Sequence, residues 1–146
     1  MKRNAGILLV FLSALLLGAC SLLDTANQTL DYANQATGHL TRLSDFAQEA
    51  PQQIKEAATN PDAKKELENR LNSMKQDIER FNGLEAPAAA KELHQQLVAK
   101  NEVLLGQIND VVDNGHLALD KLQNSQIIQT IQDAAGLIDR IQNLGL

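Results

Sequence analysis

From Asp24 to the C-terminus, apolar residues recur at intervals of three and four, and no stretch alternates as a strand would. That period restricts the chain to packed helices. The first segment carries a local repeat: Thr25 to Asp31 is followed by the closely similar Tyr32 to Gly38, a period of seven. One stripe runs Ala26, Ala33, Leu40, Ala47, with Leu30, Ala36 and Leu43 beside it. Alanine at such positions lets helices approach closely, as in a coiled-coil seam.

Helix boundaries follow from proline, glycine and capping residues. The first helix is expected to end near Ala50, because Pro51 restricts the residue before it. Residues 51–59 are then a short extra helix. Asn60-Pro61-Asp62 reads as N-cap, first turn and dipole-facing carboxylate. The helix that follows buries Leu67, Leu71, Met74, Ile78 and Phe81, and Gly83 closes it. Pro87 opens a third helix with Leu93, Leu97, Leu104, Ile108 and Val111 on one face, stopped by Asn114-Gly115. After a short piece around Leu117 to Leu122, Asn124 or Ser125 caps a last helix. Its stripe is Ile128, Ile131, Ala135, Ile138 and Ile141, with Ile127 and Ala134 alongside, and Gly145 and Leu146 supply a C-terminal cap. Helices of about 20–26 residues, roughly 30–40 Å, joined by short loops, give an all-α fold: a small antiparallel three- or four-helix bundle.

Ahead of this lies a different segment. Lys2 and Arg3 precede an apolar run from Ile7 to Leu17 and the small residues Gly18 and Ala19, the layout of a secretory signal peptide. Eleven residues are too few to span about 30 Å of hydrocarbon. Leu17-Gly18-Ala19-Cys20 resembles the lipobox of bacterial prolipoproteins. The resemblance implies diacylglyceryl transfer to the Cys20 sulfur and cleavage after Ala19, with Leu17, Gly18 and Ala19 recognised by the peptidase. The alternative is a plain secreted protein, but Leu17 suits an ordinary signal peptidase poorly. Residues 1–19 are thus expected to be a removed leader, 20–23 a lipidated anchor and linker, and 24–146 the helical domain. Two acyl chains satisfy the two-signal requirement for stable attachment.

Composition narrows the function. The chain has 146 residues, enough for one domain. Without Lys2 and Arg3 it holds 11 basic against 18 acidic residues, a net −7. Nucleic acid, whose binding rests on Lys and Arg neutralising phosphates, is excluded as an expected partner, and so is a polybasic route onto anionic lipid. The single cysteine rules out an intramolecular disulfide. His39, His94 and His116 lie far apart without zinc-ligand spacing, so no metal and no cofactor is expected.

Catalytic candidates are weak. Glu66/Glu68 and Asp110/Asp113 read as solvated faces. His94, beside the stripe of the third helix, has no serine or cysteine evidently placed to use it and reads as a partly buried, hydrogen-bonded histidine. Asn101 falls on the inner face of that helix, four residues after Leu97 and three before Leu104. There it fixes helix register or offers a polar contact to a ligand. The last helix, with Gln126, Gln129, Gln132 and Gln142 on its polar face, packs into the bundle or lies on the membrane surface; only Arg140 supplies the cation an interfacial helix uses.

Beyond these readings, the whole chain resembles a family of small uncharacterised lipoproteins of Bacillus-type Gram-positive bacteria. The likeness rests on Gly18 to Asp24, Asp31 to Asn34, Asn60 to Ala63, Phe81 to Pro87, His94 to Leu97 with Asn101-Glu102, and Asn143 to Leu146. It implies a helical fold and an address on the outer, extracytoplasmic face of the cell membrane, with no activity attached and no sorting meaning for Ser21. The expected function is a non-enzymatic, membrane-anchored module that binds or scaffolds another envelope protein. The alternative is a carrier of a small apolar ligand between its helices.

Overall fold

The computed structural model describes the backbone of residues 3–113 and 115–145 and the side chains of residues 24–113 and 115–144. Six α-helices carry the described fold: α1 (Arg3–Ala57), α2 (Pro61–Asn82), α3 (Lys91–Val111), α4 (Leu119–Gln123), α5 (Ile127–Ala135) and α6 (Ile138–Gln142). A 3₁₀ turn (Ala88–Ala90) leads into α3, and another (Asn143–Gly145) follows α6. A two-stranded antiparallel hairpin, β1 (Val112–Asp113) and β2 (His116–Leu117), follows α3.

The fold is all-α in its packing. Helix α1 touches α2 and α5, and α3 touches α2 and α5, so four helices close a ring around one core. Side-chain pairs give the directions. His39 meets Asp77 and Glu49 meets Arg70, so rising numbers on α1 face falling ones on α2. Lys75–Asn109 and Asn82–Glu102 show the same antiparallel order between α2 and α3. Helices α1 and α3 therefore run parallel, as Tyr32–His94 and His39–Asn101 confirm.

The seven-residue repeat of α1 becomes its buried seam. Ala33, Leu40 and Ala47 form one column, and Ala36, Leu43, Ala50 and Ala57 the next. Ala26 stays exposed ahead of Thr29, the first buried residue among the described side chains, and Leu30, beside the seam, stays exposed as well. The seam also explains why α1 does not stop at Ala50. Pro51 removes one backbone donor and crowds the preceding turn, which ordinarily costs about 3 kcal/mol or more. Ala50, Ile54 and Ala57 continue the core-facing side through it, and that burial holds residues 51–57 in one helix with the rest. The expected separate helix at 51–59 is therefore absorbed into α1.

Helix α2 begins as its sequence dictates. The Asn60 side chain accepts from the Asp62 N–H at 2.9 Å and the Ala63 N–H at 3.3 Å, with Pro61 at the first turn. Asn60→Ala should lower stability by about 1 kcal/mol and Asn60→Asp by much less; urea unfolding followed by circular dichroism measures both. The buried positions of α2 are Leu67, Leu71, Met74, Ile78 and Phe81, as the periodicity predicts. In α3, Leu93, Leu97, Asn101, Leu104, Ile108 and Val111 are buried, with Pro87 lying just before the 3₁₀ turn.

Two regions differ from the sequence reading. Helix α3 ends at Val111, ahead of the expected stop at residues 114–115, and the chain passes into the hairpin. Gly115 sits at φ +77°, a conformation open to glycine, while Asn114 lies outside the described residues. Strands of two residues are too short to show an alternating pattern. Helix α2 holds the hairpin down: Glu68 Oε2 accepts from the Leu117 N–H at 2.9 Å. The last helix is broken in two at Gly136 and Leu137. Glycine weakens a helix interior by about 1 kcal/mol, and the break turns Ile141 fully inward against α1. Of the expected stripe, Ile131 and Ile141 are buried, whereas Ile128, Ala135 and Ile138 are only partly buried and the residues alongside, Ile127 and Ala134, take the inward places. Gln126 precedes α5 without a side-chain cap, because Ser125 Oγ is engaged by the Leu122 carbonyl. Of the expected C-terminal cap, Leu146 lies outside the described residues.

Candidate functional site

Aromatic, imidazole and amide side chains gather where α1, α2 and α3 meet. Tyr32 and His39 are one heptad apart on α1, and His94 and Asn101 are one heptad apart on α3. Because those helices run parallel, the two pairs form successive layers. Tyr32 Oη lies 3.1 Å from His94 Nδ1, and His39 Nε2 lies 3.3 Å from Asn101 Oδ1. Phe81 of antiparallel α2 wedges between the layers. Its ring stacks on His39 at 4.3 Å and 7°, and lies 5.4 Å from His94 and 6.3 Å from Tyr32.

Each layer has its own electrostatics. In the first, burial pushes the Tyr32 hydroxyl up to about 12 and holds the His94 imidazole below its usual value. Tyr32 therefore keeps its proton and His94 stays neutral, so the contact joins two uncharged groups. In the second, His39 is 1% exposed, and its Nδ1 lies 3.0 Å from Asp77 Oδ2. Arg42 forks onto the same carboxylate at 2.9 to 3.2 Å, and Arg80 stands 3.7 Å away. Burial raises the Asp77 carboxyl, but hydrogen bonds and charge from His39 and Arg42 outweigh it and leave the group below the ordinary carboxylate range. Asn101, fully buried, donates Nδ2–H to Asn82 Oδ1 at 2.8 Å, and Asn82 in turn donates to Glu102 at 2.9 Å.

These shifts set a pH dependence. A folded-state value below the unfolded one means that the unfolded chain binds more protons there, so stability rises with pH. Falling pH should first cost stability below about 6.5, where an unfolded His94 charges, and again below about 4, as Asp77 is protonated. Urea midpoints measured across this range should show both losses. His94→Gln should remove the upper one and Asp77→Asn the lower.

The sequence candidates fall as follows. Asn101 is buried and joined to two helices, the structural role its spacing suggested. His94 is partly buried and bonded to Tyr32. Glu66 is exposed, Glu68 secures the hairpin, and His116 is an exposed strand residue. Among the described residues no cluster of His, Cys, Asp or Glu could hold a metal ion, and no helix is long and apolar enough to cross a membrane. The side chains of Leu17, Gly18, Ala19 and Cys20 lie outside the described residues. Sequence reasoning passed over His39 and its carboxylate. The available signal was position: His39 is three residues after Ala36 and four before Leu43, on the seam itself.

Helices α1 and α2 also leave an open groove of about 570 Å³. Leu43, Phe46 and Met74 lie at its apolar base, and Arg42, Arg70, Arg80, Asp45 and Glu66 surround it. The Arg70 guanidinium lies over the Phe46 ring at 5.6 Å and pairs with Glu49.

A model of a family of unknown function (DUF6376) matches residues 32–144, from Tyr32 of the first layer through the last turn. The chain belongs to that family. It is also 32% identical over 131 residues to a Bacillus subtilis (strain 168) protein named Uncharacterized lipoprotein YybP, with 88% of each chain covered. No solved structure matches. The resemblance read from the sequence is thereby supported, and the polar junction lies within the part of the chain that the family model matches.

Proposed function

We propose that this member of the family is a non-enzymatic lipoprotein, anchored through Cys20 to the extracytoplasmic face of the cell membrane, that binds another envelope protein through the α1–α2 groove. Two readings support the anchor: the lipobox-like Leu17 to Cys20, and the Bacillus subtilis relative, which is named a lipoprotein. The continuity of α1 carries the architecture. Eight residues lie between Cys20 and Thr29, the first buried residue among the described side chains of α1, and in one helix the two positions are about 14 Å apart. The bundle is therefore held close to the bilayer by a stiff stalk and not by a free tether. The groove suits a partner helix with mixed charge: an apolar base for its anchoring side chains, and both signs of charge around it to fix the register.

The histidines support a binding role over a catalytic one. Both ring nitrogens of His39 are engaged inside the core, and Nδ1 of His94 is occupied by Tyr32. The test is site-specific photo-cross-linking in intact cells. A cross-linker at exposed Ser73, in the groove, should yield one reproducible protein adduct that is lost with Arg70→Glu. A cross-linker at exposed Val103 on α3 should not. Identical adducts from both positions, or adducts with lipid alone, would overturn the groove assignment. A lipid or metabolite retained in native mass spectra of the purified protein would favour the carrier reading instead.

A further inference from the structure

His39 has no part in that binding role, yet it sits at the middle of a hydrogen-bond relay whose two ends are fixed by carboxylates. At one end, Asp77 accepts from Arg42 Nε and Nη2, so the oxygen it turns to His39 Nδ1 is an acceptor and the nitrogen must carry hydrogen. At the other end, Glu102 accepts from Asn82 Nδ2. That orients Asn82 Oδ1 toward Asn101, which answers with Nδ2–H and turns its own oxygen to His39 Nε2. The amide orientations follow from partners, as they must where oxygen and nitrogen look alike. Both ring nitrogens therefore face oxygen acceptors, and only an imidazole with two N–H groups satisfies them.

We infer that folded His39 is a buried imidazolium, and that its second proton sets the polarity of an amide relay running across α3 to Glu102 at the surface. The surroundings suit a cation on balance. From α2, Asp77 pairs with it and Phe81 offers its ring face at 4.3 Å, within cation–π range. Arg42 of α1 and Arg80 of α2 oppose it but share the same carboxylate. On the α3 side stand Asn101, with Glu102 behind Asn82, and beyond Phe81 lie the neutral His94 and Tyr32.

The charge also makes the junction proton-linked. A small cleft of about 170 Å³ between α1 and α2 is lined by His39 together with Asp77 and Phe81. Were Nε2 to lack its proton, its lone pair would need a donor, and Asn101 would have to rotate its amide toward it. Asn82 must then rotate as well, setting its oxygen against the Glu102 carboxylate and breaking that bond. Core protonation is thereby coupled to contact between α2 and α3.

Long-range ¹H–¹⁵N spectra of the full-length, histidine-labelled protein test this, with His39→Gln used to assign the signals. At neutral pH both nitrogens of His39 should be protonated, while His94 keeps one bare nitrogen as an internal control. Glu102→Gln, at an exposed position, gives the relay an end that can donate as well as accept. In that variant the share of His39 carrying hydrogen on both nitrogens at neutral pH should fall. A bare nitrogen on His39 in the parent at neutral pH would overturn the inference, as would a Glu102→Gln variant in which that share is unchanged.

Discussion

Replacing Cys20 with alanine is expected to move the protein out of the membrane fraction and to remove a diacylglycerol increment from its intact mass. The expected size follows from how little else could hold the chain at a bilayer. One acyl chain gives marginal, reversible attachment, whereas two anchor stably, each buried methylene contributing roughly 0.8 kcal/mol. Nothing in the helical domain compensates for losing them. It carries a net −7, so anionic lipid repels it on average. The apolar run Ile7–Leu17, if left uncut, would extend only about 16 Å as a helix against roughly 30 Å of hydrocarbon. Fractionation of intact cells, with mass spectrometry of the recovered protein, reads both effects. A Cys20→Ala protein that sediments with membranes as the parent does would remove the anchor from the proposed function.

How far the sequence spoke for the fold depended on whether a feature is local. Asn60 caps α2, and Leu67 through Phe81 line its inner face, because capping and a 3.6-residue period are properties of one segment. The inward placement of Asn101 was legible for the same reason. Pro51 misled because its local penalty is outweighed by burial of Ala50, Ile54 and Ala57 on a neighbouring surface that no local pattern encodes. The break at Gly136 misled in the opposite sense: residues 127–141 keep a helical period on both sides of it, and only the packing of Ile141 against α1 shows that two axes are needed. The site was the least legible part. Asp77, at 77, and His39, at 39, meet only because α2 folds back on α1, and Asn101 joins them only because α3 runs parallel to α1. One sequence supplies the heptads but not which helices share a layer.

Phe81 is where those layers depend on one side chain, and Phe81→Ala should be among the most destabilising substitutions in the domain. The ring is 3% exposed and lies against His39, Tyr32 and His94, residues of both α1 and α3. Truncating a buried phenylalanine commonly costs about 3–5 kcal/mol, part of it for the cavity that remains. Here the neighbours have little freedom to close that cavity. His39 is tied at both nitrogens and Tyr32 at its hydroxyl, so inward movement would break hydrogen bonds in a buried setting. Phe81→Leu separates the volume from the ring. It restores most of the apolar filling but removes the face on which His39 stacks, so it should recover part of the loss and fall short by the ring-stacking contribution, roughly 0.5–1.5 kcal/mol. Urea unfolding of parent and both variants, compared at a common denaturant slope, measures these steps. A loss below about 1 kcal/mol for Phe81→Ala would mean that the α1–α2–α3 junction collapses freely around the gap, and the two-layer arrangement would then not be what holds the three helices in register.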